Sequence, residues 1–313
     1  MSGREPVTPP AVVAVVAVVG PTAAGKSDLA VALALSLGGE VVNGDSMQLY
    51  RCMDVGTAKL SATERRGVPH HLLDMLDVGE AATVAQFQGW AREAISDCCS
   101  RRTTPILTGG SALYLRAVLD EFDFPGTDPD VRRLLEADLA EVGPAALHAR
   151  LTRLDPEAGG TILPTNARRV VRALEVIELT GGPYRARLPD HVYAFDRVVQ
   201  IGLQVPREVL DERIAERVDR MWGSGLVAEV RRLERGGLRE GRTASRALGY
   251  RQVLQMLAGE LTEAEAREET IRGTRRFARR QDTWFRRDPR ITWLPHDAPD
   301  LIPRALDAVR SVR

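Results

Sequence analysis

Gly20-Pro21-Thr22-Ala23-Ala24-Gly25-Lys26-Ser27 stands between an apolar run at 11–19 and a stretch with helical patterning from Ser27 to Leu37. Its Gly-x4-Gly-Lys-Ser spacing, in a strand–loop–helix setting, is that of a phosphate-cradling P-loop. The glycines let backbone N–H groups converge on phosphate oxygens at a helix N-terminus, Lys26 adds a positive charge, and the Ser27 hydroxyl is placed to hold Mg²⁺. The loop itself leaves the phosphorylated compound open: ATP or any other pyrophosphate satisfies it.

Working outward, the run at 11–19 is nine apolar residues, far short of the about 20 that cross a bilayer. Only Arg4 precedes it as a basic flank, so it reads as a buried parallel strand over 12–19, behind a disordered leader at 1–10. A second strand, Glu40–Asn43, ends in Gly44-Asp45-Ser46. A helix at 83–99 leads to a third strand at 105–108, then Gly109-Gly110-Ser111 and a helix at 111–120. Repeated strand–loop–helix units predict an α/β fold, a P-loop parallel sheet flanked by helices. A turn-rich boundary at 124–129 opens helical patterns at 130–141, 144–153 and 166–180, closed by 181–189. A strand at 198–203 rejoins the sheet, followed by helices at 206–222, 225–235, 245–258 and 262–287 and a strand at 291–294. The expected organisation is a catalytic domain over 11–122 and 196–313, with a helical C-terminal part and a helical insertion domain over 123–195.

The 313 residues carry 43 basic and 43 acidic side chains, so net charge is silent about partners and only its distribution informs. Three cysteines, Cys52, Cys98 and Cys99, have no CxxC spacing, consistent with a reducing cytoplasm and no disulfide framework. Only two basic residues are lysines, Lys26 and Lys59, and the rest are arginines. A coding bias toward arginine would leave lysine where a slim point charge is needed, which raises Lys59 as a second lining residue of the phosphate site, or as chance. Asp45, at the carboxyl end of the second strand, is a general base, a Mg²⁺ ligand or simply a helix cap, and Ser111 is open to the capping reading too. His70-His71 has no carboxylate or cysteine nearby in sequence to complete a metal site.

Arg272, Arg275, Arg276, Arg279 and Arg280 fall on one helix face, with Phe277 and Trp284 alongside. A cluster at Arg168, Arg169 and Arg172 and another at Arg246 and Arg251 lie in separate segments. Such a distribution predicts a polyanionic partner, nucleic acid above all, rather than a small molecule.

Taken together, these motifs resemble those of the tRNA dimethylallyltransferases, also called tRNA isopentenyltransferases. The resemblance rests on the P-loop, Asp45-Ser46-x-Gln48-x-Tyr50, Asp54-x-Gly56-Thr57-Ala58-Lys59, Pro69-His70-His71-Leu72-x-Asp74 and Gly109-Gly110-Ser111-x-Leu113-Tyr114. Arg172-Ala173-Leu174-Glu175-Val176, Gly249-Tyr250 and Arg279-Arg280-Gln281-x-x-Trp284 complete it, so that it spans about 15–295.

That resemblance implies transfer of a dimethylallyl group from dimethylallyl diphosphate to the exocyclic amine of the adenosine 3′ of the tRNA anticodon. Gly20, Pro21, Thr22, Ala23, Ala24, Gly25, Lys26 and Ser27 would hold the diphosphate, with Mg²⁺ at Ser27. Asp45 would be the general base, and Ser111 would contact the reacting centre. The family's turn commonly reads Gly-Gly-Thr; here the hydroxyl is kept but the methyl that would fix its rotamer is lost.

Implied contacts to the tRNA anticodon stem-loop are Asp45, Ser46, Met47 and Gln48; Arg168, Arg169, Val170, Val171 and Arg172; Arg246, Ala247, Leu248, Gly249, Tyr250 and Arg251. The last group is Arg279, Arg280, Gln281, Asp282, Thr283, Trp284, Phe285 and Arg286. The enzyme is expected to be a cytoplasmic monomer without membrane contact. The rival readings are a P-loop nucleotide or small-molecule kinase, an isopentenyltransferase of free adenine nucleotides, and a non-catalytic RNA-binding ATPase.

Overall fold

The computed structural model describes residues 14–122, 124–184 and 190–312. The leader expected at 1–10, the first residues of the strand expected at 12–19, residue 123 and the stretch 185–189 lie outside them.

Strand β1 (Val15–Val19) is buried at every position and runs parallel between β4 (Pro105–Gly109) and β5 (Val198–Gln204). With β2 (Glu40–Asn43), β3 (His70–His71) and β6 (Ile291–Pro295) they form a six-stranded parallel sheet ordered β3-β2-β4-β1-β5-β6. The two faces of β1 explain its unbroken apolar run. Val15, Ala17 and Val19 enter one core, with α2 (Val84–Ser100) and α3 (Ala112–Leu119); Val16 and Val18 enter the other, with α1 (Lys26–Leu37) and α11 (Leu301–Ser311). The strand order reverses at β1, and that is where an open α/β sheet leaves a crevice beyond its carboxyl ends.

The chain divides into two compact units, one made of the segments ending at Asp120 and resuming at Tyr193, the other Glu121–Val192. The seams lie two or three residues before the 123 and 195 expected from the turn-rich composition. Asp120 and Tyr193 form an antiparallel bridge, and the Asp120 carboxylate is fully buried on Arg116 and Arg290, so both belong to the sheet-bearing unit. The smaller unit packs α4 (Pro129–Leu154), α5 (Pro156–Thr161) and α6 (Ala167–Thr180) around Leu135, Leu147, Leu151, Ile162 and Leu174. The two helices expected at 130–141 and 144–153 meet at a kink where Gly143 adopts φ 78° before Pro144.

In the larger unit the chain continues through α7 (Arg207–Gly223), α8 (Leu226–Glu234), α9 (Tyr250–Leu257) and α10 (Glu263–Phe285). The helix expected over 245–258 is broken. A 3-10 turn, Ala244–Arg246, is separated from α9 by Gly249 at φ 89°, a conformation that a side chain would oppose. Hydropathy patterning does not mark α5, α11 or the two-residue β3.

Candidate active site

The P-loop leaves β1 through three left-handed residues, Gly20, Ala23 and Gly25, at φ 138°, 65° and 94°. Ala23 holds this conformation without glycine's freedom, a strain typical of ligand-gripping backbone. Gly25 starts α1 without a side-chain cap, so the first amides of that helix point at the crevice as anion donors. The Lys26 Nζ donates to the Pro21 carbonyl at 2.7 Å, curling the side chain over its own loop.

Close backbone approaches gather the other turns around this loop. A Cβ on Gly109 would lie 2.6 Å from the carbonyl carbon and oxygen of Gly44, so only glycine lets the ends of β2 and β4 meet. The residues beyond these glycines, Asp45 and Gly110, are thereby brought to the same rim. Buried Asn43 sets the Asp45 turn. Its Oδ1 accepts the Asp45 amide at 2.9 Å, and its Nδ2 donates to the carbonyls of Asp45 and Leu72. The Asp45 Oδ1 accepts the Met47 amide at 2.9 Å, which leaves lone pairs on a half-buried carboxylate. Asp45 thus closes a tight turn and caps no helix. Ser111 does occupy the N-cap position of α3, yet its hydroxyl makes no capping bond.

A residue outside every sequence motif joins them: Arg217 of α7. Burial, and next the Arg217 charge, push Lys26 down to about 7, while the Asp45 carboxylate pulls it back up. Arg217 is itself lowered by burial and raised by Asp45. These three half-buried groups, a lysine, an arginine and a carboxylate, therefore share one field, and an arriving polyanion would favour the charged form of Lys26. No short motif surrounds Arg217; only the packing of α7 brings it in.

Arg217 also donates to the Thr57 carbonyl at 3.2 Å, as does the Gln48 side-chain amide at 3.2 Å. The turn that carries Thr57 is held from behind by Glu229, a buried carboxylate of α8 that accepts the amides of Asp54, Val55 and Gly56. Lys59 serves the same loop. Its Nζ contacts the Tyr50 carbonyl at 3.0 Å, Asp54 at 2.7 Å and Asp74 at 2.6 Å, with the side chain 3% exposed. Three acceptors converging on one compact ammonium explain a lysine here, as a structural clamp.

The arginine clusters divide when seen in three dimensions. On α10, Arg272, Arg276, Arg279 and Arg280 are exposed, as is Arg286 just beyond its end, whereas Arg275 is half-buried and donates to the Asp211 carbonyl. Arg272 pairs with Glu269, and Arg286 pairs with Asp282 while stacking over Trp293. Arg280 lies over Phe277. Trp284 and Thr283 are exposed, Asp282 half-buried, and Phe285 and Gln281 buried. In the 246–251 segment Arg246 and Arg251 reach solvent and Leu248 does so partly, while Ala247, Gly249 and Tyr250 are buried. Ser46, Met47 and Gln48 are half-buried beside Asp45.

In the smaller unit Arg168 and Arg169 are exposed, but Val170 and Val171 are core residues. Arg172 donates to Glu175 and to the carbonyls of Pro125 and Gly126, a structural assignment. The buried members of the expected RNA-contact set therefore have no side-chain surface to offer an RNA; they hold the backbone that presents their neighbours.

His71 does have partners that the sequence concealed. Its Nε2 lies 2.6 Å from Glu40 and 3.8 Å from the Cys98 thiol, a trio of metal-ligand types. Arg101, however, grips both Glu40 oxygens at 2.7 and 2.8 Å and approaches the thiol, so a guanidinium already balances that carboxylate. Arg101 bonding, ahead of His71, holds Glu40 down at about 2, while burial and Glu40 push Cys98 up to about 12. The cluster is an ion-paired staple of β2, β3 and α2, at the opposite end of β2 from Asp45.

Known proteins resemble this chain over most of its length. The profile of the IPP transferase family matches residues 48–288. The chain is 66% identical over 300 residues to a tRNA dimethylallyltransferase of Thermobifida fusca, covering 94% of each chain. It is 64% identical over 296 residues to one of Salinispora tropica, covering 95% of this chain and 92% of the relative. Among solved structures, it superposes on the full-length tRNA isopentenylpyrophosphate transferase of Bacillus halodurans with a TM-score of 0.69 and 42% identity, over 95% of each chain. It also superposes on a eukaryotic dimethylallyltransferase acting on tRNA, with a TM-score of 0.82 and 25% identity, over 96% of this chain and 80% of that one.

Proposed function

The chain belongs to the tRNA dimethylallyltransferase family, and we propose that it moves a dimethylallyl group from dimethylallyl diphosphate onto the exocyclic amine of the adenosine 3′ of the anticodon. The observation that carries this reading is the shared field of Lys26, Arg217 and Asp45 beside a P-loop with open amides. As the allylic carbon–oxygen bond breaks, charge accumulates on the departing diphosphate. The loop amides, Lys26 and Arg217 stabilise it there.

The adenine amine is a weak nucleophile because its lone pair is delocalised into the ring. As the new carbon–nitrogen bond forms, Asp45 takes the proton that the nitrogen must lose, help typically worth about 10²–10⁴-fold. Ser111, its hydroxyl not engaged in capping, faces the same rim as a contact for the base or the diphosphate. The base must leave its stack to enter, at a cost of a few kcal/mol that contacts elsewhere on the RNA offset.

Among the described residues the Ser27 hydroxyl at the start of α1 has no hydrogen-bond partner, and as a hard oxygen donor it fits Mg²⁺ better than a softer ion. When bound, Mg²⁺ would neutralise diphosphate oxygens. The larger unit would offer RNA the exposed arginines of α10, Arg246 and Arg251, and the smaller unit, taken by itself, would offer Arg168 and Arg169. No helix among the described residues is long and apolar enough to cross a membrane. The three cysteines are free, as expected of a reducing compartment.

Incubation with an unmodified anticodon stem-loop and labelled dimethylallyl diphosphate tests the proposal. Allyl label should appear in RNA with release of diphosphate. Phosphate transfer from labelled ATP, with no allyl product, would favour a P-loop kinase instead.

A further inference from the structure

The helix that bears the arginine track also holds the P-loop through one side chain. Gln281, on the buried side of α10, accepts the Thr22 amide on Oε1 at 2.9 Å and donates from Nε2 to the Gly110 carbonyl at 2.8 Å. It is 6% exposed; its bond to Gly110 is buried and its bond to Thr22 part-buried. Thr22 lies in the middle of the P-loop, and Gly110 precedes Ser111 on the β4 turn. A Cβ on Gly110 would sit 2.3 Å from the Gln281 Nε2 and 3.5 Å from the Gly20 carbonyl oxygen. Helix, P-loop and β4 turn therefore meet at a point with no room for a methyl group. A carboxamide is the group that fits, because it offers one acceptor and one donor on a short, flat end.

We propose that Gln281 is a positioning residue for the diphosphate: it fixes the P-loop relative to the β4 turn and so sets the span across which diphosphate and acceptor base must fit. It acts through the loop backbone and not through the RNA, although its neighbours Arg279 and Arg280 are exposed for RNA. The proposal rests on the diphosphate reading of the P-loop given above. Loss of one or both of these hydrogen bonds, with the loop freed to relax, corresponds to roughly a tenfold loss of diphosphate affinity.

The test uses Gln281→Leu and, as an independent route to the same lesion, Gly110→Ala, whose methyl displaces the carboxamide. Inorganic diphosphate binding is measured by calorimetry without RNA, beside wild type and Lys26→Met. Steady-state KM is measured separately for dimethylallyl diphosphate and for the anticodon stem-loop, and Thr22 amide exchange is followed in the ligand-free proteins. Both variants should lose diphosphate affinity about tenfold and raise the dimethylallyl diphosphate KM by a similar factor. The RNA KM should stay within about twofold, and Thr22 should exchange faster.

Unchanged diphosphate affinity with a raised RNA KM would overturn the proposal and make Gln281 an RNA contact. Unchanged Thr22 exchange would equally overturn it. Should wild type and Lys26→Met bind diphosphate equally poorly, the functional reading of the loop fails instead, and Thr22 exchange still reports whether the tether exists.

Discussion

Tyr250 donates its hydroxyl to Glu229 at 2.6 Å, and the same buried carboxylate accepts the amides of Asp54, Val55 and Gly56. The phenol ring lies so close to Gly56 that a Cβ there would meet it at 2.4 Å. Tyr250 is thus the inner wall of the Asp54–Lys59 loop, and burial with the Glu229 charge drives its proton release to higher pH. The loop's far side presents the Thr57 carbonyl to Arg217 and Gln48. Glu229→Ala leaves one buried donor, the Tyr250 hydroxyl, and three part-buried amides without an acceptor and should destabilise the fold by about 3 kcal/mol, at roughly 1 kcal/mol or less per donor. Urea unfolding checks this: a loss under about 1 kcal/mol would mean that water replaces the carboxylate.

Lys26 predicts a trade between stability and turnover. Its folded value of about 7 lies below the unfolded value near 10.4, so protonation favours the unfolded chain. The penalty is complete below about pH 7 and fades as pH rises through the unfolded value. Lys26→Met should therefore melt higher than wild type at pH 7, with the advantage shrinking by up to ~1.4 kcal/mol per pH unit until about pH 10. Turnover should be abolished. An advantage that does not change between pH 7 and 10 would contradict the enclosed-lysine account.

Asn43 is the residue that holds the Asp45 turn, through three hydrogen bonds and 3% exposure. Asn43→Ala should lower kcat about 10- to 100-fold, the scale on which misplacement of a reacting group by about 1 Å operates. The RNA dissociation constant should hardly move. Unimpaired kcat would mean that Asp45 finds its place without Asn43.

Replacing Arg276, Arg279 and Arg280 together should weaken binding of the stem-loop and lower the slope of log K against log salt by up to about 2, at ~0.7 per phosphate contact on single-stranded RNA. Arg275 is left in place because it supports α7 through the Asp211 carbonyl. A slope equal to that of wild type would return α10 to an ordinary solvated surface.

Much of this could be read in the sequence because local pattern and local structure coincide there. The valines of β1 face two cores at once, and the P-loop glycines announce a backbone that few other residues tolerate. Hydropathy periodicity likewise found α1, α2, α6 and α10 to within a residue or two. What escaped were relationships between distant segments. Arg217 is one arginine among many on a surface-patterned helix, and only tertiary packing encloses it beside Lys26. Lys59 stands out as one of two lysines, but Asp54 and Asp74, which define its role, carry no signal of convergence. His71 lacked partners in its own segment because Glu40 and Cys98 lie on β2 and α2. Gly249 hid a helix break inside a pattern that still looked helical, since the residues on both sides keep apolar spacing.

Single-turnover transfer by Asp45→Asn at saturating dimethylallyl diphosphate and stem-loop, set beside the dissociation constant of each, tests the two-sided pocket most directly. The pocket predicts a chemical step slowed about 10²–10⁴-fold while both substrates bind as tightly as to wild type. Transfer at the wild-type rate once saturated, with RNA affinity reduced instead, would contradict it and leave the Asp45 carboxylate as an RNA contact alone.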